Sequence, residues 1–170
     1  MNMNNVSRKI ELLAHIIIIT TSLLLSIVVV KTYLLPSAPR PAALHALSPG
    51  TKLSLSRIDW SGAHQTILVV LAKGCNYCSE SAPFYQRLAS KASSNKSVRL
   101  IAVLPQEPEE ARQYLDSLHV PIGDVVQAEL GSIRVEGTPT LILVDSTGVV
   151  KETWVGKLPT EAESEVLSRL

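Results

Sequence analysis

Cysteine is scarce in this 170-residue chain: there are two, too few for a disulfide-stapled miniprotein or for a structural zinc site built on four thiolates. Net charge is also nearly absent, +1 from 16 basic and 15 acidic side chains, so there is no basic excess of the kind a nucleic-acid-binding face requires. The length is short for two full domains and suits one domain with an appendage. No internal repeat is visible. The histidines offer no metal-ligand spacing: His15, His45, His64 and His119 stand apart, and none forms a ligand pair with the cysteines.

Charge is missing altogether from Leu12 to Val30. As a helix this run would be about 28 Å long, close to the hydrocarbon thickness of a bilayer, and it offers no polar face to water. Arg8 and Lys9 precede it, which by the positive-inside rule keeps the N-terminus cytoplasmic and places the remainder outside. The run exceeds the apolar core of a cleaved signal peptide, and Pro36-Ser37-Ala38-Pro39 is a poor cleavage context. The expected organisation is a cytoplasmic N-terminus (1–11), a transmembrane anchor (12–35), a Pro/Ala-rich spacer (36–50) and a folded domain (51–170). Residues 1–44 carry +3 and residues 45–170 carry −2, so the near-neutral total joins two physically different parts.

Within the domain, Lys52 to Ile58 alternates like a half-exposed strand. Thr66 to Ala72 and Val98 to Leu104 are continuous apolar runs that suit strands buried on both faces. Helices are expected over Asn76 to Ala92, Pro108 to Leu118, Ala128 to Val135 and Thr160 to Leu170. Thr140 to Asp145 and Val149 to Val155 flank Ser146-Thr147-Gly148 as a hairpin. This order predicts an α/β domain with a central mixed sheet of four or five strands and helices on both faces.

The two cysteines fall in Cys75-Asn76-Tyr77-Cys78, at the junction of a buried strand and a long helix. Two cysteines placed at random would show this spacing in about 1% of cases. At a helix N-terminus, unpaired N–H groups and the helix dipole stabilise a thiolate, which points to Cys75 as nucleophile. Cys78, one turn on, is placed to resolve a mixed disulfide. Lys73 could lower the Cys75 pKa further, or be simply solvated. A permanent structural disulfide would close too small a loop to stabilise much.

The chain resembles the membrane-anchored extracytoplasmic thioredoxin-like proteins of the TlpA and ResA type, within the redoxins, over about Leu53 to Leu170. The likeness rests on the strand leading into Cys75-Asn76-Tyr77-Cys78, on Pro83 in the following helix, on Gly137-Thr138-Pro139-Thr140, and on the Leu141 to Val155 hairpin followed by Gly156 and a terminal helix. It implies a thioredoxin fold, a redox-active Cys75–Cys78 disulfide with no other cofactor or metal, cysteine-containing protein clients and a membrane electron donor. It further implies a cis Pro139 beside the cysteines, with the Thr138 backbone free to pair with an extended client segment. From its own place between the cysteines, Tyr77 reads either as shaping client choice and potential or as a passive filler. Phe84, Tyr85, Trp154 and Trp60 read as packing residues.

Three positions depart from the family pattern. Gly74 stands where tryptophan usually precedes the first cysteine, Ser81 where many relatives carry glutamate, and Val69 where thioredoxins bury an aspartate. Proton transfer with Cys78 is then left to water, to Glu80 as the nearest carboxylate in sequence, or to a residue that the sequence does not mark. Reductase and oxidase directions both remain open, the former resembling cytochrome c maturation thioredoxins. Three other activities compete: a peroxiredoxin-type peroxidase, although Ala72 occupies the place of its threonine or serine; a copper-delivery protein with His119 as third ligand; and a binding module without turnover.

Overall fold

The computed structural model describes residues 13, 15–26, 47–55 and 57–170. The chain divides into two compact units, Met1–Ala42 and Ala43–Leu170. In the first, residues 15–26 form an exposed helix in which the Thr20 and Thr21 hydroxyls donate back to carbonyls of the preceding turn. The rest of the expected anchor over 12–35 lies outside the described residues. Among the described residues, no helix is long and apolar enough to cross a membrane.

The second unit is built on five strands: β1 (Gln65–Val70), β2 (Val98–Leu104), β3 (Asp124–Gln127), β4 (Thr140–Asp145) and β5 (Val150–Val155). Four helices accompany them: α1 (Asn76–Glu80), α2 (Ala82–Ser94), α3 (Pro108–Ser117) and α4 (Thr160–Ser168). The sheet order is β3-β2-β1-β4-β5, with β1, β2 and β3 parallel and β4 and β5 antiparallel to their neighbours. This is the thioredoxin-like α/β fold with a mixed five-stranded sheet.

β1 is central and its run Ile67 to Val70 is fully buried, as a strand covered on both faces must be. Its side chains alternate between two cores. Ile67, Val69 and Leu71 join Cys78, Phe84, Leu88, Ala111, Leu115 and Val166, so all four helices contribute to one face. Leu68 and Val70 join Ile101, Val103, Ile142 and Val144 on the other, which is covered by Leu47, Leu53, Ile58, Ile133 and Val135. That second cover contains two short 3-10 turns, Trp60–Gly62 and Leu130–Ile133, the latter where a helix over Ala128 to Val135 was expected. The turn stops at Arg134, whose φ of 55° is left-handed and cannot continue a right-handed helix.

Two further elements differ from the sequence expectation. Lys52 to Ile58 does not join the sheet as a strand and contributes only an isolated bridge between Lys52 and Val149. It alternates because it lies along the second face, burying Leu53 and Ile58, while Leu53 N–H donates to Gly148 O at 2.9 Å. The fifth strand is instead β3, whose Asp-Val-Val-Gln sequence is too short and polar to announce itself; its partner β2 defines it. Regular packing also begins within the segment read as spacer: Leu47 is buried and Gly50 N–H donates to Val150 O.

The expected long helix over Asn76 to Ala92 is present as two, α1 and α2, joined through Ser81. Pro83 sits at the start of α2, where its missing N–H removes no helical hydrogen bond. Trp60 starts a short 3-10 turn, Trp60–Gly62, and its indole lies against Gly148 of the β4–β5 turn.

Candidate active site

The segment leaving β1 crosses Gly74 at φ +83°, a left-handed conformation that glycine adopts without strain. Cys75 then caps α1: its carbonyl accepts from the N–H groups of Cys78 and Ser79, and its Sγ accepts from Cys78 N–H at 3.2 Å. Cys75 and Cys78 are joined as a disulfide, with their Cα atoms 5.2 Å apart. The two sulfurs sit in different environments. Cys75 is half-buried at the surface, whereas Cys78 is fully buried in the helix-side core. The positions that the sequence leads one to expect as attacking and resolving thiols thus differ in access as well as in order.

The Thr138–Pro139 peptide bond is cis, and the loop lies directly beside the pair, with Cys75 Sγ 3.4 Å from Thr138 O. Pro139 is buried and Thr138 half-buried. The loop is fixed from behind, since Thr140 Oγ1 donates to Gly137 O at 2.8 Å and Gly156 N–H donates to Pro139 O at 2.7 Å. Tyr77 is 60% exposed, so its ring contributes surface at the mouth of the site and little packing.

The two charged residues nearest the cysteines are both occupied elsewhere. Lys73 Nζ is 2.7 Å from Glu110 on α3, and its own N–H donates to Gln106 Oε1. Glu80 is 2.8 Å from Lys157, just beyond β5. Lys73 and Glu80 each pair with an opposite charge from another element, so neither stands as a free charge beside the cysteines.

Beneath the pair the site is apolar. Among the described residues the buried polar side chains are Thr66, Ser81 and Thr140, and no carboxylate is buried. Val69, fully buried, belongs to the same cluster as Cys78. Ser81 donates to Tyr77 O at 2.7 Å. Tyr85 has its phenol pushed well above its ordinary pKa by burial, although a hydrogen bond with Ser81 opposes the shift.

His119 caps the end of α3 at φ 56°, its N–H donating to Asp116 O. Among the described residues, no group of three or more His, Cys, Asp or Glu is placed to hold a metal ion. The copper reading required His119 to complete a site with the thiols, and the geometry provides no such cluster.

Gln106, Glu110, Tyr114 and Lys157 form part of the surroundings and were not singled out from sequence. Glu110 and Tyr114 are four residues apart, a spacing that puts them on one face of α3, where Tyr114 OH lies 3.4 Å from Ser79 Oγ. That spacing was a readable signal. Lys157 offered none.

The profile of the Redoxin family matches residues 36–170. No curated sequence matches significantly. Among solved structures, the chain is similar to a protein assigned as the thiol:disulfide interchange protein DsbE of Chlorobium tepidum, at 24% identity with a TM-score of 0.53, covering 74% of this chain and 98% of that one. It is also similar to a thiol-disulfide isomerase from Corynebacterium glutamicum (19% identity, TM-score 0.52, 75% and 92% covered). StoA from Bacillus subtilis matches at 17% identity with a TM-score of 0.52, covering 75% of this chain and 98% of StoA. These structural likenesses carry the fold; the profile, spanning most of the chain and containing the disulfide-bonded Cys75 and Cys78, establishes that the protein belongs to the Redoxin family.

Proposed function

We propose that this redoxin is a protein thiol–disulfide oxidoreductase that reduces cysteine-containing clients on the outer side of a membrane. The observation that carries the reading is the asymmetry of the pair: Cys75 half-exposed beside Thr138 O, Cys78 buried one turn behind it. In the reduced protein the Cys75 thiolate attacks one sulfur of a client disulfide. A mixed disulfide forms and the client's other sulfur leaves as thiolate. Cys78 then gives up its proton to solvent and attacks Cys75 Sγ, forming the Cys75–Cys78 disulfide and expelling the second client thiolate. Two electrons pass to the client and the two thiolates take up two protons. A dithiol donor, supplied by a membrane protein, returns the pair to its reduced form.

The chain's own groups support each step. The Cys78 N–H is aimed at Cys75 Sγ and favours its thiolate. Beside it, the Thr138 backbone and the exposed Tyr77 ring offer an extended client segment a ladder partner and a contact surface. The reducing direction follows from how little else stabilises the thiolate, because a strong oxidant is one whose reduced form is strongly stabilised. The extracytoplasmic placement rests on the charge-free run Leu12 to Val30 behind Arg8 and Lys9.

The test is reduction of insulin disulfides by the dithiothreitol-reduced protein. Wild type should be active and Cys75→Ala inactive, while Cys78→Ala should accumulate a mixed disulfide with the client. A potential at or above about −120 mV, the range of a strong oxidant, would overturn the reducing direction.

A further inference from the structure

We propose that Glu110 and Lys157 set the redox poise of the cysteine pair by cancelling the charges that its own segment carries. The inference rests on the oxidoreductase reading and adds the residues that tune it. Between Leu71 and Ser81 the charged side chains are Lys73, two residues before Cys75, and Glu80, two residues after Cys78. Each meets an opposite charge from a different element: Glu110 on α3 at 2.7 Å and Lys157 beyond β5 at 2.8 Å.

Both partners are held by backbone already fixed around the site. α3 approaches the segment a second time through Tyr114 and Ser79, and Gln106, just ahead of that helix, accepts from Lys73 N–H. Lys157 follows Gly156, whose N–H is bonded to Pro139 O. One ion pair therefore ties the cysteine segment to α3, and the other ties it to the backbone that supports the cis-proline loop.

Ion pairs this exposed contribute little to folding. Their field at the thiols is a separate matter. An uncompensated charge about 10 Å away, at an effective dielectric constant of about 25–50, would shift a thiol's ionisation equilibrium by about three- to tenfold. With both charges compensated, Cys75 is left with the Cys78 N–H and the first turn of α1 to stabilise its thiolate. Other charged groups on the neighbouring elements, Glu107, Glu109, Arg112 and Asp116 at α3 and Arg134 and Glu136 ahead of the cis-proline loop, are left in place by every variant.

Glu110 and Lys157 are positioning residues, and the sign of each effect identifies them. Glu110→Gln releases Lys73 and Glu80→Gln releases Lys157. Both should lower the Cys75 pKa and move the equilibrium with glutathione about three- to tenfold toward the dithiol. Lys73→Met and Lys157→Met should do the opposite. The double variants Lys73→Met/Glu110→Gln and Glu80→Gln/Lys157→Met should return to wild type. The readouts are thiolate absorbance against pH and glutathione equilibration of the full-length protein. Single variants of one pair that move in the same direction, or all within about twofold of wild type, would overturn the proposal. So would a double variant that fails to return. Failure of the oxidoreductase reading has a separate signature, a wild-type protein that leaves insulin disulfides intact.

Discussion

Replacing Val69 by aspartate would place a carboxyl group beside Cys78 where this chain keeps an apolar side chain. Val69 is fully buried at the centre of the sheet, paired with Ala102 on β2 and Leu141 on β4, and it shares a cluster with Cys78. Losing the buried valine removes about 1.5–3 kcal/mol of apolar transfer energy. Burying an acid without a partner adds about 1–3 kcal/mol, so the expected loss is about 3–5 kcal/mol, a large share of a typical domain's stability. The loss should also depend on pH. Burial raises the folded-state pKa of the new acid above its unfolded value of about 3.9, so the unfolded chain ionises first and the deficit grows as pH rises, by about 1.4 kcal/mol for each tenfold weakening of the acid on folding. Urea unfolding of the variant and wild type at about pH 4 and about pH 7 measures both effects. A deficit below about 1 kcal/mol that is equal at the two pH values would refute the apolar account of this site.

Three further outcomes test other parts of the structure. Leu88→Ala, at a fully buried position on α2, should lower unfolding free energy by about 2–5 kcal/mol in urea, and a loss under about 1 kcal/mol would contradict the packing of the helix-side core. Gly148→Ala combines φ +84° with a new Cβ 2.9 Å from Trp60 Nε1, so it should cost about 1–3 kcal/mol and perturb tryptophan fluorescence; an unchanged spectrum and midpoint would refute that contact. Asp145→Asn should destabilise at neutral pH. Hydrogen bonds from Thr147, Lys151 and Val149 hold the Asp145 carboxyl below its ordinary range, so its contribution is present above the unfolded pKa and fades as pH falls toward the depressed folded value. Thermal unfolding at descending pH should show the variant and wild type converging, and a constant gap would refute the linkage.

The elements carried by long apolar runs were readable in advance. β1, β2 and β4 were each visible because a strand buried on both faces needs unbroken β-branched and aliphatic residues. The hairpin turn was visible because Gly148 supplies a positive φ and Asp145 caps the turn backbone. Lys52 to Ile58 was misread because alternation reports which side chains are buried, and a segment lying over a sheet face produces the same pattern as a strand within it. β3 was missed because four residues, two of them polar, carry too little pattern; pairing with β2 makes them a strand.

At the site, local sequence sufficed for the thiols themselves. Two cysteines three apart at a strand-to-helix junction leave one capping the helix and the other a turn behind, whatever the rest of the chain does. Charge was different. Sequence placed Lys73 and Glu80 beside the cysteines and suggested that they act on them, but the pairing of a flexible charged side chain is decided by what the fold brings near it. α3 brings Glu110, 37 residues away from Lys73, and the end of β5 brings Lys157, 77 residues away from Glu80. The amino-acid sequence alone determined which atoms can exchange electrons. The tertiary structure decided what surrounds them, because the field at a thiol and the burial of its partner are sums over neighbours that only the folded chain assembles.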